Sequence, residues 1–281
     1  MKKIGFIDFY LSEWHANNYP VWIDEINRAS GEDFRVAYAW AELDTSPKDG
    51  TTTDEWCEKF GAKKCASIKE LCRLSDYVLI LAPSDPEKHL IYARQALTCG
   101  KPTYIDKTFA PNSSEAAEMF RIAEENCTPL FTSSALRYAS ELSPYEGKIC
   151  SAIITGGGSG LEEYVIHQLE MAVKLMGTGA REVYLSESPD TTHIAIRYGD
   201  HRSVNLFYSP ALPFTAALTN QKGETVTLPI SSDYFRALLS DILRFYREGT
   251  LSFPREQTME IMKLREAIIK SKATAGTAIP L

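Results

Sequence analysis

Residues Tyr77–Phe109 read YVLILAPSDPEKHLIYARQALTCGKPTYIDKTF, and this stretch decides the fold. An apolar strand ends at Pro83, a helix follows it, and a second short apolar strand ends in Asp106 and Lys107. Open α/β sheets bind ligands at the carboxyl ends of their strands, so this unit predicts a ligand site at these residues. A buried lysine there can titrate and transfer protons. The alternative is an ordinary surface lysine paired with the neighbouring carboxylate.

The same alternation of strands and helices runs through residues 1–135. The predicted strands are Lys3–Phe9, Phe34–Ala41, Tyr77–Ala82, Thr103–Ile105 and Leu130–Ser133. Strands that alternate with helices indicate a parallel, doubly wound sheet. We therefore predict a first domain of class α/β over residues 1–135.

The pattern changes near Gly147, and we predict a second domain over residues 136–281. A long helix, Leu161–Met176, is followed by short strands separated by turn residues, which is typical of an open, mostly antiparallel sheet. Two amphipathic helices, Asp233–Glu248 and Arg255–Lys272, close the chain. This part is predicted to be α+β, and the pattern is compatible with a final helix that packs back on the first domain.

Composition and charge argue against several classes of protein. The 281 residues carry a net charge of −7, which argues against nucleic-acid binding, since that requires a basic surface. No apolar run approaches the ~20 residues that cross a bilayer, so we expect no membrane partner and a cytoplasmic protein. The six cysteines show no C-x-x-C pair and no zinc spacing, which favours reduced thiols and no bound metal.

The first strand lacks the glycine fingerprint of dinucleotide-binding folds. That fingerprint, G-x-G-x-x-G, permits a tight turn and a close approach of the backbone to a diphosphate. Here the chain continues from Gly5 to Asp8 and Glu13, which places carboxylates close to where a diphosphate would lie. An acidic residue for a ribose comes late after the second strand, as Glu42 or Asp44. The sequence thus argues against ordinary dinucleotide binding.

The helix Leu161–Met176 carries one polar stripe. Its members recur at helical spacing, and they are Glu163, His167, Glu170 and Lys174. One interpretation is a solvated face with ion pairs along the helix. The other is a histidine that faces a cleft, with Glu163 fixing its tautomer.

Together these pieces resemble the glucose–fructose oxidoreductase / inositol dehydrogenase / MocA family of NAD(P)-dependent oxidoreductases. Residues 78–107 are similar to the family's pattern of a strand, a proline, a histidine and a helix, followed by Gly-Lys. The family pattern ends in Glu-Lys-Pro, and this chain has Asp106-Lys107-Thr108 at that position. Residues 163–170 are similar to its Asp-x-x-x-His-x-x-Asp helix, with glutamate for each aspartate. The resemblance covers nearly the whole chain and implies a Rossmann-like first domain and a second domain with an open, mostly antiparallel sheet.

The family resemblance implies hydride transfer between a nicotinamide cofactor, NAD or NADP, and a hydroxyl-bearing carbon of a sugar-like or polyol substrate. Lys107 would orient the substrate hydroxyl, His167 would act as general acid or base, and Glu163 would orient His167. The residues implied in substrate binding are Lys107, Arg137, Tyr164 and His167. The residues implied in cofactor binding are Asp8, Phe9, Tyr10, Glu42, Pro83, Ser84, His89 and Asp106.

Two alternatives to an oxidoreductase stay open. The same scaffold could be a non-catalytic ligand-binding or interaction protein, or a non-redox lyase or epimerase that uses Lys107 and His167. We also expect a homodimer or homotetramer formed through the outer face of the second sheet, where Val204, Leu206 and Tyr208 alternate. The expected partners are thus a small-molecule substrate and further copies of the chain.

Overall fold

The computed structural model describes residues 1–274 and 276–281, and they form two compact units. The first unit contains Met1–Ser133 and Leu238–Ser252, and the second contains Ser134–Ala237 and Phe253–Leu281. Each unit is therefore built from two separate pieces of the chain, whereas the sequence predicted a single boundary near residue 135. The six cysteines are free thiols. No helix in the described part of the chain is long and apolar enough to cross a membrane.

The first unit is built on a parallel six-stranded sheet, which confirms the predicted doubly wound fold. The strands are β1 Lys2–Asp8, β2 Phe34–Ala41, β3 Lys63–Lys64, β4 Tyr77–Ile80, β5 Thr103–Ile105 and β6 Leu130–Thr132. They lie in the order β3-β2-β1-β4-β5-β6, so the direction of winding reverses between β1 and β4. At such a reversal the loops at the carboxyl ends diverge and leave a crevice for a ligand.

Helices connect these strands, and side chains cap most of them. The helices are α1 Trp14–Ser30, α2 Thr53–Phe60, α3 Ile68–Leu74, α4 His89–Ala96 and α5 Ser113–Glu125. Thr52 and Glu55 form a reciprocal capping box at α2, and Asn112 caps α5. These side chains satisfy N–H groups of the first helical turn, and so fix where each helix begins.

The second unit is built on a seven-stranded sheet in the order β12-β11-β7-β10-β9-β8-β13. The strands are β7 Ile149–Gly156, β8 Ala180–Ser188, β9 Thr191–Tyr198, β10 Ser203–Tyr208, β11 Thr215–Asn220, β12 Thr225–Pro229 and β13 Ile279–Pro280. Neighbouring strands run antiparallel except β7 and β10, which run parallel. The predicted open, mostly antiparallel sheet is confirmed. It is not a simple meander, because β7 lies between β10 and β11.

The core of the second unit lies between this sheet and two helices. These helices, α6 Leu161–Met176 and α8 Arg255–Ala273, contact each other and the sheet. Val204, Leu206 and Tyr208 belong to this core and are buried. The prediction that they form an outer, subunit-binding face is wrong, because the alternation along β10 turns them to the inner face.

We expected the final helix to pack back on the first domain. The helix that joins the first unit is instead the one before it. This helix, α7 Tyr234–Glu248, buries Phe245 and Tyr246. The Tyr246 hydroxyl donates a hydrogen bond to the Val78 carbonyl oxygen at 2.7 Å, and the Phe245 ring lies 5.4 Å from the Phe131 ring. These contacts anchor α7 to β4 and β6, while α8 packs within the second unit.

Candidate active site

Asp106 and Lys107 follow β5 at the carboxyl edge of the first sheet. Lys107 is 7% exposed, and its ammonium donates a hydrogen bond to the Pro83 carbonyl oxygen at 3.2 Å. Asp106 accepts hydrogen bonds from the Lys107 backbone N–H at 2.8 Å and from the Tyr104 hydroxyl at 3.4 Å. The peptide bond that follows Lys107 is cis. Lys107 is therefore a buried cation at a strand end, and not the surface lysine of the alternative interpretation.

Asp8 ends β1 and connects the carboxyl ends of two neighbouring strands. Its Oδ1 accepts hydrogen bonds from the backbone N–H of Phe9 at 2.7 Å and of Ala82, after β4, at 3.0 Å. Ala82 has a φ of 53°, which is unusual for a residue other than glycine. Burial raises the pKa of Asp8 well above its usual range, and the carboxylates of Glu13 and Asp106 raise it further. We therefore expect Asp8 to keep its proton to higher pH than an ordinary aspartate.

Glu13 caps the N-terminus of α1. Its carboxylate accepts hydrogen bonds from the backbone N–H groups of His15, at 2.8 Å, and of Ala16. The His15 ring lies between two carboxylates, with Nδ1 3.4 Å from Glu13 and Nε2 3.9 Å from Asp106. Sequence analysis gave His15 no role. The one available signal was the carboxylate two residues before it, at the start of a helix.

The loop of residues 44–52 covers the turn between β1 and α1. The Ser12 hydroxyl donates a hydrogen bond to Asp49 at 2.7 Å, and the Ser46 hydroxyl donates one to the Ser12 carbonyl oxygen at 3.2 Å. Hydrogen bonds from the backbone of this loop and from Ser12 lower the pKa of Asp49 to about 2, so this carboxylate is ionised at neutral pH. Tyr10, a predicted cofactor residue, is buried in the same turn. The turn is thus filled by the protein's own side chains.

An aromatic cluster lies at the start of α1. Trp14, directly after Glu13, is 48% exposed. The centre of its indole lies 5.1 Å from the His15 ring and 5.4 Å from the Trp22 ring, edge to face in both pairs. An exposed indole therefore marks the N-terminal end of α1.

Glu42 follows β2 directly, close to where dinucleotide folds carry an acidic residue for the ribose. Its carboxylate accepts hydrogen bonds from Lys88 at 2.5 Å and from the Tyr92 hydroxyl at 2.8 Å. The hydrogen bond from Lys88 lowers the pKa of Glu42. The Lys88 ammonium also lies 4.7 Å from the centre of the Phe9 ring. Glu42 is thus an ionised carboxylate directly after β2, and its role in ribose binding stays a prediction.

The remaining predicted cofactor residues differ in accessibility. Directly after β4, Pro83 is buried and Ser84 is exposed. His89 is completely buried, with its ring nitrogens 3.0 Å from the Phe109 carbonyl oxygen and 2.5 Å from that of Leu81. Burial lowers the pKa of His89. We therefore correct its assignment, because His89 holds the backbone after β4 and has no accessible surface for a cofactor.

In the second unit, His167 of α6 lies next to Ser134. The distance from His167 Nδ1 to the Ser134 hydroxyl oxygen is 2.5 Å. The imidazole centre also lies 5.5 Å from the Tyr164 ring and 6.0 Å from the Phe214 ring. A hydroxyl can donate to an imidazole nitrogen or accept from it, so this contact orients the ring in either tautomer. Sequence analysis missed Ser134, because no helical spacing connects it to His167.

Glu170, one turn further along α6, holds Ser134 and Arg137 in place. Its carboxylate accepts hydrogen bonds from the Ser134 backbone N–H at 2.9 Å and from Arg137 Nε at 2.5 Å. Arg137 also donates to Gln257 at 2.8 Å, and its guanidinium lies 3.8 Å from the centre of the Phe253 ring. Arg137 is 4% exposed and bound to Glu170, so it positions this carboxylate, and its role in substrate binding stays a prediction.

The other members of the polar stripe on α6 make contacts that differ from the predicted ion pairs. Glu170 pairs with an arginine, while the Lys174 ammonium donates to a serine hydroxyl at 3.3 Å. Glu163 accepts a hydrogen bond from Ser159 at 3.2 Å, and its orientation of His167 stays a prediction. Nowhere in the described chain do three or more His, Cys, Asp or Glu side chains come together in a group that could hold a metal ion.

Comparison with known proteins finds this fold in many solved structures. No protein-family model matches the sequence, and no curated protein matches it. A myo-inositol dehydrogenase from Corynebacterium glutamicum is similar at a TM-score of 0.77 and 14% identity, covering 100% of this chain and 99% of the other.

Two further solved structures with this fold contain NAD. GenD2 from gentamicin A biosynthesis, in complex with NAD, is similar at a TM-score of 0.79 and 13% identity, covering 100% of this chain and 97% of the other. An oxidoreductase from Agrobacterium radiobacter, in complex with NAD+, L-tartaric acid and magnesium, is similar at a TM-score of 0.76 and 15% identity. The match covers 99% of this chain and 98% of the other. At these identities the likeness establishes the fold, an N-terminal Rossmann domain and a C-terminal α+β domain.

A dinucleotide fits the first unit only in part. Glu42 stands directly after β2, where such folds carry a carboxylate for the ribose, and it already accepts hydrogen bonds from Lys88 and Tyr92. The N-terminus of α1, where such folds hold the diphosphate, is instead bound to the Glu13 carboxylate. The residues of the first turn therefore do not form the usual diphosphate site.

Proposed function

We propose that this protein is an oxidoreductase that acts at a hydroxyl-bearing carbon of a sugar-like or polyol small molecule. The observation that carries the proposal is Lys107, a buried ammonium directly after β5 on a fold whose solved neighbours include dehydrogenases. Burial of a lysine costs free energy unless its charge is used or paired, so such a residue at a strand end is a functional candidate.

Lys107 and His167 handle the hydroxyl proton in this proposal. The Lys107 ammonium, oriented by the Pro83 carbonyl oxygen, donates a hydrogen bond to the substrate oxygen and stabilises negative charge that develops on it. The His167 imidazole, oriented by Ser134, accepts or returns the proton, since an imidazole changes its charge near neutral pH. Tyr164, beside His167, is a proposed substrate contact.

NAD or NADP is the proposed redox partner, and two observations bear on it in opposite directions. Two neighbours with this fold contain NAD, and Glu42 follows β2 directly, close to where dinucleotide folds carry an acidic residue for the ribose. Against this, Glu13 takes the diphosphate position at α1. We therefore propose that a nicotinamide cofactor, where it is used, is held without the ordinary diphosphate contacts.

The Glu13 cap favours a second candidate function, a non-redox lyase or epimerase that uses the same lysine and histidine. Such an enzyme moves a proton without transferring a hydride, and it requires no diphosphate site. Turnover without an absorbance change at the nicotinamide band, and without added cofactor, distinguishes it from the oxidoreductase.

The test is turnover of polyols and sugars by the wild-type protein with NAD, with NADP and without either. With a substrate in hand, Lys107→Met and His167→Ala are each expected to lower kcat/KM by about 10²- to 10⁴-fold, the range for loss of a proton-transferring side chain. Lys101→Met, which removes an ammonium before the same strand, is the matched control and leaves turnover unchanged. Full activity of both Lys107→Met and His167→Ala contradicts the proposal.

A further inference from the structure

The first turn of an open α/β sheet is normally an anion site. Backbone N–H groups at the N-terminus of the first helix point toward the ligand, and the helix dipole favours negative charge there. In this protein β1 ends at Asp8 and α1 begins at Trp14, so the position lies beside Glu13.

The Glu13 carboxylate makes the contacts that a phosphate group would make at this position. It accepts hydrogen bonds from the N–H groups of His15 and Ala16, both in the first turn of α1. These donors would otherwise lack an intrahelical partner. Glu13 is buried together with them, so its carboxylate is part of the folded turn and not a mobile surface group.

The surroundings also exclude a second anion. The Asp49 carboxylate, which is ionised at neutral pH, accepts a hydrogen bond from the Ser12 hydroxyl of this turn. The Ser46 hydroxyl fastens the covering loop to the Ser12 carbonyl oxygen. A diphosphate would therefore meet carboxylates and a closed turn in place of open N–H groups.

We infer that Glu13 is a built-in occupant of the anion position at α1, so that this protein does not hold a phosphate-bearing ligand there. The turn retains the backbone donors of an anion site, and its own carboxylate uses them. This inference rests on the geometry of the first unit and not on the proposed function, since it applies equally to an oxidoreductase and to a non-redox enzyme.

The test is calorimetric titration of the whole protein with inorganic pyrophosphate, ADP-ribose and adenosine. For the wild type we expect no measurable pyrophosphate binding and no tighter binding of ADP-ribose than of adenosine. Glu13→Ser, which shortens the side chain and removes its charge, is expected to bind pyrophosphate at least about fivefold more tightly than the wild type. Glu13→Gln removes the charge but keeps one acceptor oxygen, and a smaller gain is expected.

The control is Asn112→Ser, which changes the N-terminal cap of a different helix, α5. It should leave the affinity for each probe unchanged. Should Glu13→Ser fail to fold, as judged by its thermal unfolding, Glu13→Gln carries the comparison. Wild-type binding that depends on the diphosphate, or no gain in either Glu13 variant, overturns the inference. Turnover is not measured in this test, so failure of the proposed function leaves its result intact.

Discussion

Asp8 makes the stability of the folded protein depend on pH, and one substitution can test this contribution. An unfolded aspartate titrates near pH 4, whereas burial and the neighbouring carboxylates raise the pKa of Asp8 in the folded state. Between these two pKa values the folded chain holds one more proton, so this contribution to stability is complete below about pH 4 and is lost as the pH rises through the folded-state pKa.

Asp8→Asn is therefore expected to flatten the decline of stability with rising pH. The asparagine keeps an acceptor for the N–H groups of Phe9 and Ala82 and cannot ionise. As the pH rises, the variant should gain stability relative to the wild type. The difference between their free energies of unfolding should grow by up to about 1.4 kcal/mol per pH unit. Urea unfolding from pH 4 to pH 8 measures it, and parallel curves for the two proteins would contradict the assignment.

Ser134 is expected to act as a positioning residue for His167. Ser134→Ala removes the hydroxyl that lies 2.5 Å from the imidazole. We expect kcat to fall about tenfold, the equivalent of roughly one hydrogen bond, with KM unchanged. Ser134→Thr keeps the hydroxyl and should restore most of the activity. Equal losses in both variants, or a change confined to KM, would argue for a purely structural role.

At this scale, the sequence predicted the positions of side chains that follow a strand directly. Lys107 after β5 and Glu42 after β2 are examples, and their roles stay predictions. It failed for pairs that meet only in the folded chain. The Glu170–Ser134 hydrogen bond joins residues 36 positions apart, and sequence spacing carries no signal for such a contact.

Among the elements, the contact between α6 and the segment after β6 contains a buried ion pair. The Arg137 and Glu170 side chains are 4% and 6% exposed. Removing one partner of a buried pair leaves an unpaired charge and typically costs about 3–5 kcal/mol. Glu170→Ala is thus expected to lower the free energy of unfolding by this amount in urea unfolding.

The double variant Arg137→Met with Glu170→Leu provides the matched comparison. It removes both charges and fills the space with apolar atoms, so it should regain much of the stability lost in Glu170→Ala. If the double variant is as unstable as the single one, the cost comes from lost packing rather than from an unpaired charge.

Helix and strand positions followed from local patterns, and their partners did not. The boundaries of α6 and of the strands β2 and β5 match the prediction, because apolar periodicity and capping residues are local signals. The two-residue strands β3 and β13 were missed, since they are too short to show alternation. The start of α1 at Trp14 depends on the Glu13 cap, which apolar periodicity does not show.

For the whole molecule, the path of the chain between its two units cannot be read from the amino-acid composition. Residues 238–252 return to the first unit, where Tyr246 is buried against β4. No shift in composition marks this return, because α7 is an ordinary amphipathic helix in sequence. Its position is set by tertiary contacts such as the Tyr246–Val78 hydrogen bond, which join residues far apart in sequence.

We propose that copies of the chain associate through the outer face of the second sheet, although not through the residues first expected. Ile153 on β7 is 45% exposed on that face, and Phe207 on β10 stacks on His193 with ring centres 4.8 Å apart. A flat sheet face with exposed apolar residues favours burial against another copy.

The expected solution mass is two or four times 31.4 kDa. Ile153→Lys places a charge on the proposed interface and should shift the mass toward that of one chain in light scattering. Val21→Lys, which alters an equally exposed apolar residue on α1, is the control and should not. A wild-type mass of one chain removes this proposal.

The exposed indole of Trp14 gives the molecule an optical reporter that needs no label. It directly follows Glu13 and lies edge to face with His15, so any event that moves the cap changes the charge and solvent around a fluorophore. Trp22, Trp40 and Trp56 supply the rest of the emission, and Trp14→Phe identifies the share that comes from Trp14. Emission of the intact protein can therefore follow release of Glu13 in real time, with or without a known substrate.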